Sequence, residues 1–250
     1  MKRPILYIFT ISHYCEKARW ALDYLGIDAE LRILAPGTHI KVAKSLGLKR
    51  GSVPFLQLGD TTLQGSDAII TWAEKNQKHH KSLGSQNSKV MAFEKRLDDK
   101  LGVHVRRWFY SEAILEHPHL VKPVFMHGIS AWEKIKLSIK WPLIGKLMVR
   151  GMDLGFEQGG ESLSIVHDEI AWIETHLADG NRYLVDNTFS RADIAAASLL
   201  APLVAPKEYS CSSLMVLPPR AEQQSEPMKD RPFWHWVEML YQNHRASPLH

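Results

Sequence analysis

The sequence predicts an α/β module in residues 1–77 followed by an all-α domain in residues 89–250, and three observations carry that reading. A continuous apolar run from Ile5 to Thr10 is followed at once by apolar residues at helical spacing. Two short strand-like runs around Gly59-Asp60 then form a hairpin and lead into a second helical pattern. After the polar stretch 76–88, strand signals nearly vanish and two long helical stripes take over.

Taken in order, Ile5 to Thr10 has the pattern of a strand buried on both faces. Cys15, Ala18, Leu22 and Leu25 repeat as one helix face, with Glu16, Lys17, Arg19 and Asp23 between them and Gly26 at the C-terminal cap. Leu31 to Leu34 reads as a second strand, and Pro36-Gly37 opens an irregular polar segment through Gly51. Val53-Pro54-Phe55-Leu56-Gln57-Leu58 and Thr61-Thr62-Leu63 make the hairpin, with Pro54 at a strand opening where a missing N–H is tolerated. Ser66 is placed to cap the helix containing Ile69, Ile70 and Ala73. The order is β-α-β, then β-β-α.

Residues 78–88 are the expected linker. Beyond it, Val90, Phe93, Leu97, Leu101, Val105 and Trp108 form one long helical stripe, and Leu163, Val166, Ile170, Ile173 and Leu177 form another. Phe189-Ser190-Arg191-Ala192-Asp193 reads as a capping box ahead of a central, buried helix. The five prolines in or beside 207–232 point to an extended loop or surface excursion. A last helix from about Phe233 to Arg245 turns Phe233, Trp236, Val237 and Leu240 inward.

Composition narrows the function classes. Hydrophobic residues make up 45% and charged residues 23%, enough to bury a core and too apolar for wholesale disorder. The net charge of +4 is concentrated between 131 and 150, where Lys134, Lys136, Lys140, Lys146 and Arg150 face only Glu133, so the broad basic face of a nucleic-acid binder is not expected. Two cysteines, Cys15 and Cys211, require no disulfide framework and fit a reducing, cytoplasmic setting. The apolar start leads into charged residues without a small-residue cleavage site, and no apolar stretch approaches the ~20 residues that span a bilayer.

The Ser12-His13-Tyr14-Cys15-Glu16-Lys17-Ala18-Arg19 segment, Val53-Pro54, Ser66-Asp67-Ala68-Ile69 and Phe189-Ser190-Arg191-Ala192-Asp193, in this order and spacing, resemble the cytosolic glutathione S-transferase superfamily over nearly the whole chain. The resemblance is to a Ser-type, bacterial-like member. It implies a thioredoxin-like β-α-β-β-β-α domain, a helical glutathione-transferase C-terminal domain, glutathione as co-substrate without a metal, a homodimer and the conjugation chemistry of detoxification. Ser12-His13-Tyr14-Cys15 also resembles the Cys-Pro-Tyr-Cys of glutaredoxins with serine in place of the first cysteine. A hydroxyl there forms no mixed disulfide but can donate to a thiolate at a helix N-terminus, so Ser12 is the expected catalytic residue as well as a helix cap.

By the same resemblance Val53 and Pro54 form a cis-proline step that presents backbone to the cysteinyl group, and Ser66 holds the γ-glutamyl carboxylate. Gly65 departs from the pattern: the acidic or glutamine residue usual before that serine is absent, with Gln64 one place earlier and Asp67 available as a substitute. His39 falls where a basic residue often meets the glycyl carboxylate. Cys15 reads as a small core residue or as a secondary thiol, while His13, Tyr14, Arg106, Arg107 and Tyr110 are candidates for the acceptor cleft. Tyr7 lies mid-strand and is set aside. His79-His80 and His117-Pro118-His119 lack acidic or thiol companions at metal-ligand spacing. Trp132, Ile135, Ile139 and Leu143, with the basic residues around them and an interruption at Pro142, can lie on an anionic membrane or line the acceptor cleft, the latter being preferred.

Three functions follow: a transferase joining the glutathione thiolate to a hydrophobic electrophile, a catalytically silent binding protein of the same fold, or a glutathione-dependent oxidoreductase using Cys15.

Overall fold

The computed structural model describes residues 3–245. The first part is β1 (Ile5–Ile8), α1 (His13–Tyr24), β2 (Glu30–Ile33), α2 (Thr38–Ser45), β3 (Phe55–Leu58), β4 (Thr61–Gln64) and α3 (Ser66–Asn76). The strands form one sheet in the order β2-β1-β3-β4, with β1 parallel to β2 and antiparallel to β3. β1 is buried on both sides because its residues alternate between two cores: Leu6 and Ile8 join the main core, and Tyr7 packs with Phe55, Leu34 and Ala43 on the other face.

α2 corrects the sequence reading of 36–51 as irregular. Its eight residues bury only Ala43, so the apolar periodicity that announces a helix is nearly missing. β2 starts one residue earlier than expected. Ser66 is the first residue of α3 and not its cap; Gly65 holds the cap position at φ 97°, a left-handed conformation that favours glycine.

The helical part is α4 (Ser88–Arg96), a π-wound segment Leu97–Gly102, α5 (Val103–Ala113), α6 (Pro118–Met126), α7 (Ala131–Met152), α8 (Phe156–Leu177), α9 (Arg191–Val204), α10 (Pro219–Ser225) and α11 (Pro232–His244). The π winding has a legible cause. Phe93, Leu97, Leu101 and Val105 advance in steps of four, which overshoot an α-helical turn by about 40° each, and local unwinding keeps the stripe on the core. α9 is buried along its whole length behind the Ser190–Asp193 capping box and packs against α1, α4, α5 and α11.

Two expectations fail here. The 207–232 stretch is a series of short helical turns with Tyr209, Cys211, Ala221 and Met228 in the core, because prolines at first-turn positions start helices without losing a hydrogen bond. α7 runs through Pro142 without interruption.

A buried ionic network joins the two parts. Lys17 of α1, fully buried, pairs with Glu94 at 2.8 Å and Asp98 at 2.6 Å. Glu94 also meets the Arg191 Nε at 2.6 Å, and the Arg191 guanidinium donates to the Asp67 carbonyl at 2.8 Å and the Thr71 hydroxyl at 2.8 Å. Along α1, Arg245 pairs with Glu16, next to Lys17, at 2.8 Å and with Asp23 near the C-terminal end at 2.6 Å. No helix among the described residues is long and apolar enough to cross a membrane.

Candidate functional site

A cleft runs between the first part and α4–α7, in two halves that share Tyr14, Ser52, Val53 and Arg106. One half, about 490 Å³, is walled by Phe9, Ile11, Phe125, Ile144, Leu147 and Met148, with Ser12 at its edge. The other, about 790 Å³, is polar and holds Gly65, Ser66 and Asp67 beside Asp98 and Asp99.

Ser12 is the N-cap of α1: its Oγ accepts from the Cys15 N–H at 3.4 Å. Capping uses an acceptor lone pair and leaves the hydroxyl proton free to be donated. The next two residues brace this corner. The His13 Nε2–H donates to the Gly102 carbonyl at 3.1 Å, and burial drops the imidazole to about 3, so it is neutral. The Tyr14 hydroxyl donates to the Asp98 carbonyl at 2.7 Å, and burial pushes its ionisation well up. Both anchors end on the π-wound segment, whose Gly102 leaves room for them: a Cβ there would stand 2.5 Å from the Tyr14 Oη. His13 and Tyr14 thus line the cleft with their polar atoms committed to the scaffold.

The Val53–Pro54 peptide is cis. Val53 lines both halves, and its backbone N–H and C=O make no hydrogen bond among the described residues. The Gln64 Nε2 donates to the Arg50 and Ser52 carbonyls, each at 2.8 Å, and so fixes the loop before Val53 instead of facing the cleft. Ser66 is buried at the start of α3, whose first N–H groups have no intrahelical acceptors.

The carboxylates around the polar half differ in one respect. Glu94 and Asp98 are neutralised by Lys17 and Arg191, and Asp99 by Lys95 at 2.5 Å, whereas Asp67 has no ion-pair partner among the described residues. Its Oδ1 lies 2.7 Å from the place a Cβ at Gly65 would take. The Asp67 carboxylate therefore fills the space that a side chain at position 65 would enter.

Of the two arginines that the sequence offered, the structure turns only Arg106 to the cleft. Arg107 turns away to the Asp153 carbonyl at 2.9 Å and to the Asp153 and Glu161 carboxylates. Arg106 lines both halves, makes no hydrogen bond or ion pair among the described residues, and has a buried, unpartnered Nε. Tyr110 lines the apolar half beside it, and burial raises its hydroxyl. His39 also lines that half; its Nδ1 accepts from the Gly37 N–H at 3.0 Å and burial lowers its pKa. Trp132, Ile135, Ile139 and Leu143 do not line this cavity, against the preferred sequence reading. Cys15 is a core residue, 2% exposed, its thiol pushed up to about 12 by burial, and Cys211 is alike.

His117 does have acidic companions, five residues and one residue back along the chain: Glu112, Glu116 and His117 bring ligand-type atoms within 4.8 Å of one another. Glu112 there accepts the Arg220 and Ala221 N–H groups that begin α10, and Glu116 pairs with Arg220, so the group serves as an anchor for that helix.

Residues 6–81 match the family model of the glutathione S-transferase N-terminal domain. The chain has the glutathione S-transferase fold. Solved structures agree over its full extent: β-etherase LigF from Sphingobium sp. strain SYK-6 is 19% identical, covering 96% of this chain and 99% of that one with a TM-score of 0.58. A glutathione S-transferase from Methylobacillus flagellatus KT, with glutathione bound, is 17% identical over 94% and 98% of the two chains at 0.57. Another from Ceriporiopsis subvermispora, in complex with glutathione, is 14% identical over 100% of both at 0.60. No curated protein matches the chain in sequence.

Proposed function

We propose that this chain is a glutathione transferase that joins the glutathione sulfur to an electrophilic carbon of an apolar acceptor. The observation that carries the reading is the meeting of the two halves of the cleft at Val53 and Arg106, with Ser12 lining the apolar half, between a polar end with a helix N-terminus and a free carboxylate and an apolar cavity. In this reading Ser66 and the first N–H groups of α3 hold the γ-glutamyl carboxylate, Asp67 the ammonium, and the unpaired Val53 backbone the cysteinyl group. Ser12 donates to the sulfur. His39 stands on the acceptor side as a neutral imidazole, suited to a hydrogen bond more than to pairing with the glycyl carboxylate.

The thiol proton leaves to water, since His13 is neutral and already donating. The thiolate electron pair forms the C–S bond, and the displaced electron pair departs with the leaving group or moves to a conjugated acceptor oxygen. Arg106 faces the charge at both stages. A thiol of pKa near ~8.5 lowered by about two units is mostly thiolate at neutrality, which needs about 2.7 kcal/mol of differential stabilisation. One hydroxyl, a helix N-terminus and an unpaired guanidinium are together of that order.

The oxidoreductase alternative has little support, because Cys15 is buried and held as a thiol. Calorimetry with glutathione, followed by a panel of electrophiles on wild type, Ser12→Ala and Cys15→Ala, tests the assignment. The expected result is micromolar to millimolar binding and at least a tenfold loss of turnover in Ser12→Ala alone. Absence of glutathione binding sinks the reading, and equal turnover in Ser12→Ala removes the serine from its role.

A further inference from the structure

Helix α7 is apolar on two opposite faces. Leu137, Trp141 and Ile144 are buried against the protein. Trp132, Ile135, Ile139, Leu143 and Leu147 point outward and are 52–75% exposed. At about 100° per residue these five fall within about 60° of Trp132, while the buried Leu137, Trp141 and Ile144 lie about 120–180° round the helix from it, with Leu147 at the edge between the outward stripe and the cleft. Exposed apolar residues scattered singly are ordinary, but five in one unbroken stripe mark a surface that meets something.

The same outward side, within about 80° of Trp132, carries Lys136, Lys140, Lys146 and Arg150, all exposed and without an ion-pair partner among the described residues. The one acid of the helix, Glu133, is occupied at its N-terminus by Ser130.

We propose that the outward face of α7 docks on an anionic phospholipid membrane, with the helix lying in the plane of the headgroups. Charge decides the occupant. A second copy seated face to face would set lysine against lysine, since a two-fold contact pairs each patch with itself. A bilayer with anionic headgroups satisfies both features at once: the apolar side chains enter the headgroup boundary, and the lysine stems reach past them to phosphate. Lys136 already lies over the Trp132 ring at 5.0 Å, the ammonium and the aromatic body side by side as an interface requires.

The placement has a chemical use. Ile144, Leu147 and Met148 of the same helix wall the apolar half of the cleft, so docking would set that wall at the lipid boundary and give a membrane-dissolved acceptor a dry route in. This last step rests on the proposed transferase reading; the docking does not.

Co-sedimentation with phosphatidylcholine vesicles, with and without phosphatidylglycerol, tests the proposal. The chain should bind the anionic vesicles, less so as salt is raised, and hardly at all the neutral ones. Each single substitution Lys136→Gln, Lys140→Gln or Lys146→Gln should lower vesicle affinity about fivefold. Ile139→Glu should lower it more than tenfold while glutathione affinity and the melting curve stay as in wild type. Trp132→Phe, which leaves folding intact, should remove the blue shift of fluorescence that vesicles induce. No binding to anionic vesicles, or binding indifferent to Ile139→Glu, overturns the proposal. So does a dimer in sedimentation velocity that Ile139→Glu dissociates. A chain that binds vesicles but not glutathione would keep the docking surface and reject the transferase.

Discussion

Replacing Gly102 with alanine pits two effects of opposite sign against each other. Gly102 has φ −63°, so its backbone is open to any residue, and in an ordinary helix the substitution would stabilise by about 1 kcal/mol. Here the added methyl would stand 2.5 Å from the Tyr14 Oη and 2.8 Å from the Tyr14 Cζ and the Leu199 Cδ2. Overpacking of this kind costs about 1–3 kcal/mol, and displacing Tyr14 from the Asp98 carbonyl about 1 kcal/mol more. The balance is a loss of about 1–3 kcal/mol, or roughly 2–12 °C in melting temperature for a chain of this size. Urea denaturation of wild type and Gly102→Ala measures it, and calorimetry should show glutathione affinity falling as well, since Tyr14 braces the Ser12 corner. A variant more stable than wild type would refute the close-packed bracing of α1 on the π-wound segment.

Other outcomes follow from the same geometry. Asp67→Asn should weaken glutathione binding about tenfold by calorimetry yet leave binding of a glutathione analogue without the α-amino group nearly unchanged; equal losses would place the ammonium elsewhere. Arg106→Gln should raise the pKa of bound glutathione, followed by thiolate absorbance against pH, whereas an unshifted titration would remove the guanidinium from the sulfur's surroundings. His13 is held neutral down to about 3 against an ordinary 6.5, so the unfolded chain binds a proton first and this residue's share of stability is lost as pH falls from about 6.5 toward 3. Asp193, pushed up to about 6 by burial, works in the opposite direction between about 3.8 and 6, so the readout is the difference between wild type and His13→Gln in urea midpoints across pH. A constant difference would refute the neutral imidazole.

Most of the fold was legible because burial writes periodicity into the chain. Leu163 to Leu177, Phe233 to Leu240 and the apolar start of the chain each kept one period from end to end, and their elements lie where that period places them. Helix α2 was hidden because a helix that buries a single alanine leaves almost no period to read. The 207–232 stretch misled for a different reason: proline was taken as a breaker where it starts a turn.

At the site, Ser12, Val53 and Ser66 were found from motif order, which fixes the backbone that carries them. Arg106 and Arg107 are adjacent in sequence, and only the helix phase set by the π winding separates the one facing the cleft from the one facing Asp153. Asp67 was named as a substitute for the missing acid, but its carboxylate reaches the position a residue 65 side chain would occupy only because Gly65 leaves that space open.

The buried Lys17–Glu94–Arg191 network bears on how the molecule comes apart. Separating the α/β part from the helical part would strip the buried Lys17 of both its carboxylates, Glu94 and Asp98, while Arg191 would keep Glu94 and lose the Asp67 carbonyl and the Thr71 hydroxyl. With the Lys17 charge left unpaired on separation, the two parts should melt in one transition. Because Arg191 also grips the carbonyl of Asp67, the tilt of the helix that would receive glutathione is set from the far side of that boundary. An N-terminal fragment cut free of the helices would be missing not a neighbour but its own counter-charge.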